Sequence, residues 1–168
     1  YQVYFKNHAK YQLSEKYIAD FKSFVETCTK HGITLKVYIS PGHATDNEAI
    51  RATGHWATQE KWKREIVKIV PVWDFSGYNS ITSEPIKEGM KNYADSSHYR
   101  ENIGNLILNR VLNYQSNKVP KDFGVLITPE NIESHLAKIN ANREAWAKNN
   151  QKEAKLVQDI KRKFDRGN

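Results

Sequence analysis

Cysteine, glycine and long apolar runs are all scarce in this chain. The single cysteine, Cys28, excludes an internal disulfide framework and a Cys-rich metal site. It does not speak against export, since an exported domain need not carry disulfides. No apolar stretch approaches the roughly 20 residues needed to span a bilayer, and no charged-then-apolar N-terminus resembles a signal peptide. Eight glycines and five prolines in 168 residues are too few for a low-complexity chain, and no internal repeat is present. What is present suits one domain, or one domain with an appendage. Hydrophobic residues make up 39% and aromatics 11%, enough for a core and too much for wholesale disorder.

The charge is basic, 26 Lys and Arg against 19 Asp and Glu, a formal +7. It is unevenly spread. Residues 138–168 hold 9 basic and 4 acidic side chains, leaving 17 and 15 in residues 1–137. In the C-terminal stretch Lys148, Lys152, Lys155, Lys161, Arg162, Lys163 and Arg166 lie among Leu156, Val157, Ile160 and Phe164. The apolar set has helical spacing, so the segment reads as an amphipathic helix with a basic face. Such a helix packs on its own domain or a neighbour, or docks on an anionic surface or a protein partner. Nucleic acid is not expected, because no recognition motif accompanies the charge and the aromatics are not interleaved as a stacking platform.

Periodicity predicts a helix over residues 15–31, capped by Ser14 and stopped at Gly32, with Tyr17, Ile18, Phe21, Phe24, Val25 and Cys28 on one stripe. Residues 33–39 alternate as a strand and end in the turn Ser40-Pro-Gly-His43. Helix resumes near Asn47, with Thr45 and Glu48 spaced as a capping box, and can break at Gly54. A second strand covers about Val70–Phe75, and residues 99–114 are helical again. After a connector at 117–124, Thr128 and Pro129 open a last helical region reaching about Phe164. Helix and strand alternate as in an α/β domain with a parallel sheet. Two strands do not make a stable sheet of that kind. Together with a start at Tyr1 rather than Met, the expectation is the C-terminal part of a larger α/β domain over residues 1–116, with a helical extension over 117–168. The alternative is that residues 1–11, an aromatic-rich lead-in, or 81–94 supply further strands.

Sites in open α/β sheets gather at the carboxyl ends of strands. Three polar loops qualify: Ser40 to His43, Asp74 to Asn79 and Asp95 to His98. An Asp three residues before a His can bring carboxylate and imidazole within hydrogen-bond reach. One ring nitrogen is then fixed and the other left free as a general base. The alternative for Asp95 is a plain helix cap. His43, Tyr78 and Asn79 line a pocket if the loops converge, with Asp74 beside them; otherwise they bond their own loops. Ser40 is a weak substitute nucleophile, since a Ser before Pro is ordinarily structural. His43 with His55 or Asp74 lacks metal-ligand spacing, so neither metal nor cofactor is called for. Trp56, Trp62 and Trp73 read as core rather than carbohydrate platforms.

Residues 13–114 resemble the end of the SGNH/GDSL hydrolase superfamily. The residues that carry the resemblance are the strand Leu35-Lys-Val-Tyr-Ile-Ser-Pro41, the strand Val70-Pro-Val-Trp-Asp74-Phe, and the D-x-x-H block Asp95-Ser-Ser-His98 leading into Tyr99-Arg-Glu-Asn-Ile-Gly104. The wording is nearest to exported proteins that modify cell-surface polymers, such as those of alginate O-acetylation and teichoic-acid D-alanylation. The resemblance implies a three-layer α/β/α fold, here partial. Asp95 and His98 would be two members of a Ser-His-Asp triad acting on acyl esters of a surface glycopolymer, in an exported, periplasmic or membrane-anchored protein. The family's nucleophilic Ser block and oxyanion-hole Gly and Asn have no counterpart in this sequence, nor has a Gly-x-Ser-x-Gly elbow. Self-association is one way to cover the strand edges such a part leaves exposed.

Overall fold

The computed structural model describes residues 4–6 and 10–167; of the aromatic lead-in, residues 1–3 and 7–9 lie outside them. The chain is mixed α/β with a helical C-terminal region. In order it runs α1 (Glu15–Lys30), β1 (Val37–Ile39), α2 (Ala44–Ala52), α3 (Trp56–Val67), β2 (Val72–Asp74), α4 (Glu101–Val111), a 3-10 turn at Ser116–Lys118, β3 (Val125–Ile127), α5 (Ile132–Asn149) and α6 (Gln151–Gly167).

Local chemistry explains the ends of α1. Ser14 Oγ accepts the Tyr17 N–H at 3.3 Å, answering one of the orphan donors of the first turn. At the other end Gly32 takes φ +66, and Ile33 and Gly32 N–H donate to the carbonyls of Cys28 and Thr29 at 2.9 and 3.1 Å. That pair of bonds is the Schellman stop, which needs a residue at ease with positive φ. The expected stripe divides: Ile18 and Phe21 pack against the core and Cys28 is buried, whereas Tyr17 and Phe24 face solvent.

The sheet has three strands in the order β1-β2-β3. β1 and β2 are parallel, in the register Val37–Val72 to Ile39–Asp74. β3 is antiparallel to β2, Val72 pairing Ile127. The third strand comes neither from residues 4–6, which are helical, nor from 81–94, which are turns and bends apart from a single Tyr93–Tyr99 bridge. Val125–Ile127 supplies it from beyond the connector, so the sheet draws on both sides of residue 116. Both predicted strands are shorter than their sequence runs, three residues each.

Side chains alternate across the strands. Val37, Ile39, Val72, Val125 and Ile127 join a core with Ile66 and Val67 of α3 and Ile132 and Leu136 of α5. Trp73 packs instead with Phe75, Phe123, Ile103 and Ile107, the last two from α4. Burying a side chain of this size contributes about 1.5–3 kcal/mol. Trp62 and Trp73 are half-buried and pack against these two cores, and Trp56 carries the Arg51 guanidinium 3.6 Å above its ring.

Two predicted caps are corrected. Thr45 lies inside α2, whose N-cap is His43. Glu48 therefore closes no capping box; it is buried and bonds Arg143 twice at 3.0 Å. The last helical region begins at Ile132 behind Asn131, not at Thr128 and Pro129. Asn131 Oδ1 accepts the Thr128 N–H at 2.8 Å, forming a turn before the helix. That region divides at Asn150 into α5 and α6. α6 lays Ala154 and Val157 into the protein, Val157 against Phe5 and Ala49 of α2.

Candidate functional site

The Asp95–His98 loop is pinched at its base. Tyr93 and Tyr99 form an antiparallel bridge, with Ala94 N–H donating to the His98 carbonyl and Arg100 N–H to that of Asn92, both at 2.8 Å. Two further bonds tie the loop to the end of β1: the His43 N–H donates to Ser96 O at 2.9 Å, and the Tyr93 hydroxyl to Pro41 O at 2.8 Å. The tip therefore stands beside the carboxyl end of a parallel strand although no regular element holds it.

At that tip Asp95 acts twice. Oδ1 accepts the N–H groups of Ser97 and His98 at 2.8 Å each, and Oδ2 meets His98 Nδ1 at 2.7 Å. The Ser97 N–H, reinforced by His98, holds the Asp95 carboxyl well below the usual carboxylate range. A carboxylate can only accept, so Nδ1 carries the proton and the Nε2 lone pair points away from Asp95. Both side chains are more than half exposed, and among the described residues Nε2 has no hydrogen-bond partner. This is the geometry of a general base and its orienting acid. No serine hydroxyl approaches Nε2 among the described residues; Ser97 Oγ lies 3.4 Å from Nδ1, the nitrogen already bonded to Asp95. An open groove of about 460 Å³ runs beside the loop, walled by Asp95, Ser96, Ile86, Met90, Leu156 and the buried His43.

The remaining predicted residues divide by place. Ser40 is exposed at the end of β1 and does not line the groove beside the Asp95–His98 loop. His43 is buried with both nitrogens engaged: Nε2 donates to Glu84 O at 2.7 Å, and Nδ1 accepts the Thr45 N–H at 3.2 Å. Burial holds its imidazole below the ordinary value. Asn79 is a loop brace, its Oδ1 accepting the N–H groups of Ile81 and Thr82 at 3.0 Å. The Tyr78 hydroxyl donates to Glu48 at 2.6 Å, and burial together with that carboxylate pushes it well above the usual phenol range.

Asp74 closes β2 as a fully buried carboxylate with four donors. Oδ1 accepts the Ser76 N–H and hydroxyl at 2.9 and 2.7 Å; Oδ2 accepts Lys63 Nζ at 2.6 Å and His135 Nε2 at 2.9 Å. Burial alone would raise its pKa, but Lys63 and His135 outweigh it and hold the carboxyl below the usual range. Lys63, Ser76 and His135 carry no sequence signal: Lys63 and His135 sit within helices 11 and 61 positions from Asp74. Asp74, Tyr78 and Asn79 line one small pocket, and His43 and Asp95 line another.

Among the described residues, no three His, Cys, Asp or Glu side chains gather as a metal-ligand group, and no helix is long and apolar enough to cross a membrane. Matched against protein-family models, curated proteins and solved structures, the chain finds no similar one.

Proposed function

We propose that this chain carries the acid–base half of a serine acyl-ester hydrolase or acyltransferase of SGNH type, acting on an acylated polymer at the cell surface. The observation that supports it is the 2.7 Å bond from His98 Nδ1 to Asp95, with Nε2 open beside the end of a parallel strand. In this reading His98 takes the proton of a serine hydroxyl, which attacks the ester carbonyl and forms an acyl-serine. His98 then protonates the departing alkoxide. The same base next deprotonates water for hydrolysis or an acceptor hydroxyl for transfer. Asp95 steadies the imidazolium at each stage. The nucleophile belongs to a segment outside residues 1–168, in a larger three-layer domain that is exported or membrane-anchored. Two features favour such a domain: among the described residues the outer edge of β1 pairs with no strand, and an apolar groove of about 600 Å³ lies along it between Tyr17, Phe21, Tyr38 and Trp62. In the complete protein, His98→Ala is expected to lower turnover of an aryl acetate ester about 10²–10⁴-fold. Undiminished turnover contradicts the assignment.

A second reading rests on α6. Lys152, Lys155 and Lys163 are exposed and have no ion-pair partner among the described residues, whereas Lys161 and Arg162 pair with Asp165 and Asp159. The helix would then dock an accessory module on an anionic surface. Because Val157 is core, the test is charge reversal rather than truncation. Sedimentation with vesicles containing phosphatidylglycerol should fall in Lys152→Glu/Lys155→Glu/Lys163→Glu; unchanged binding rejects a role for the helix.

A further inference from the structure

The Asp74 cluster leaves one group unused. Lys63 and Asp74 are sealed from solvent, their side chains 2% and 0% exposed, and their charges cancel inside the protein. That pair, with Ser76, already satisfies three of the four acceptor positions of the carboxylate. His135 takes the fourth. Its side chain is only 9% exposed, and since Asp74 can only accept, Nε2 carries the proton. Nδ1 has no hydrogen-bond partner among the described residues. No buried side-chain nitrogen or oxygen among them lacks a partner, so Nδ1 is not sealed, and the ring it belongs to lines a cavity.

That cavity sits at the end of β2 and measures about 60 Å³. It has room for a group of a few heavy atoms and none for a whole cofactor or a drug-sized ligand. Its other charged walls are Lys121, Asp122 and Lys138. Asp122 is occupied, its two oxygens accepting the Ser80 N–H and hydroxyl at 2.7 Å. Lys121 and Lys138 have no ion-pair partner among the described residues, and Lys138 stands one helical turn beyond His135 on α5. Tyr78 stays neutral with its hydroxyl committed to Glu48. Among the described residues the cavity thus combines two unpaired ammonium groups, two occupied carboxylates, of which Asp74 is already neutralised by Lys63, and an imidazole nitrogen without a partner.

We propose that this pocket is a binding site for a small oxyanion, a phosphate or carboxylate group, held by His135 and flanked by Lys121 and Lys138. With an anion at Nδ1 the ring binds as imidazolium, donating one N–H to Asp74 and the other to the ligand, both charge-assisted. The two ammonium groups add attraction that a pocket open to water retains in part. The site stands apart from Asp95 and His98 and its test does not depend on ester turnover.

The test titrates the protein separately with inorganic phosphate, acetate and chloride at constant ionic strength, following the His135 ring nitrogens by long-range proton–nitrogen NMR. The proposal expects a saturable shift at Nδ1 with phosphate, with acetate or with both, and none with chloride. Saturation by phosphate alone or by acetate alone identifies which oxyanion the pocket accepts. Lys121→Met/Lys138→Met changes two exposed side chains, so the fold is kept; it should weaken binding at least about tenfold, while Lys152→Met on α6 leaves it unchanged. No saturable shift with either oxyanion, an equal shift with chloride, or binding indifferent to the lysine pair overturns the proposal.

Discussion

At the start of α2 an imidazole occupies the place usually held by a hydroxyl or a carboxylate. His43 accepts the Thr45 N–H through Nδ1 and donates through Nε2 to the carbonyl of Glu84, 41 positions away. Both bonds require the neutral Nε2–H tautomer, because a proton on Nδ1 would face the Thr45 N–H. Burial, which disfavours the charged ring, holds the imidazole low as well. The sign of the pH effect follows. The unfolded histidine titrates near about 6.5, so this group's contribution to stability is complete above that pH and is lost as the pH falls below it. Between pH 7 and 5 the unfolding midpoint of the native chain should drop more steeply than that of His43→Gln, as read by circular dichroism; parallel curves contradict the role. Asp74 works in the same sense at lower pH, its stabilisation complete above the ordinary carboxylate range and lost in strong acid. Both residues were visible in the sequence as polar groups at strand ends. Their partners were not, because Glu84, Lys63 and His135 are set by tertiary packing rather than by spacing.

Among the elements, α1 was the most legible. Its cap, its stop and its period all lie within 20 residues of one another. β3 was the least legible: three apolar residues ahead of Thr128-Pro129 resemble the lead-in to a helix, and only pairing with β2 makes them a strand. The false capping box at Thr45 and Glu48 has a similar origin. The spacing was right, but Glu48 is drawn to Arg143, 95 positions away, and a histidine cap lies outside the usual set of cap residues. The connector before β3 contains a glycine that the packing requires. Gly124 takes φ +86, and a Cβ there would lie 2.4 Å from a ring carbon of Phe75. Gly32 takes φ +66 with nothing within 4 Å. Alanine at position 32 should therefore destabilise by about 1–2 kcal/mol, the left-handed penalty alone. Alanine at position 124 adds the displacement of a buried ring and should destabilise by about 2–5 kcal/mol. Urea unfolding of the two variants measures the difference, and equal losses contradict the packing of Phe75 over the connector.

For the whole molecule, the alternation of helices and strands announced a mixed α/β chain, and the basic excess announced the helix that became α6. It did not announce where α6 packs: Val157 is sealed against α2 and Phe5, which makes the extension part of the body rather than a detached tail. The D-x-x-H block was legible because four consecutive residues specify it, and its geometry places Nε2 of His98 toward solvent, where a hydroxyl can reach it. If His98 is the general base, Asp95 acts only through it. The decisive measurement, in the complete protein, is kcat/KM for an aryl acetate ester in Asp95→Asn, His98→Ala and the double variant. Two groups that act as one unit do not lose activity independently. Both single variants should be impaired, and adding Asp95→Asn to His98→Ala should lower activity no further. Losses that multiply in the double variant, or an unimpaired single variant, would contradict that coupling.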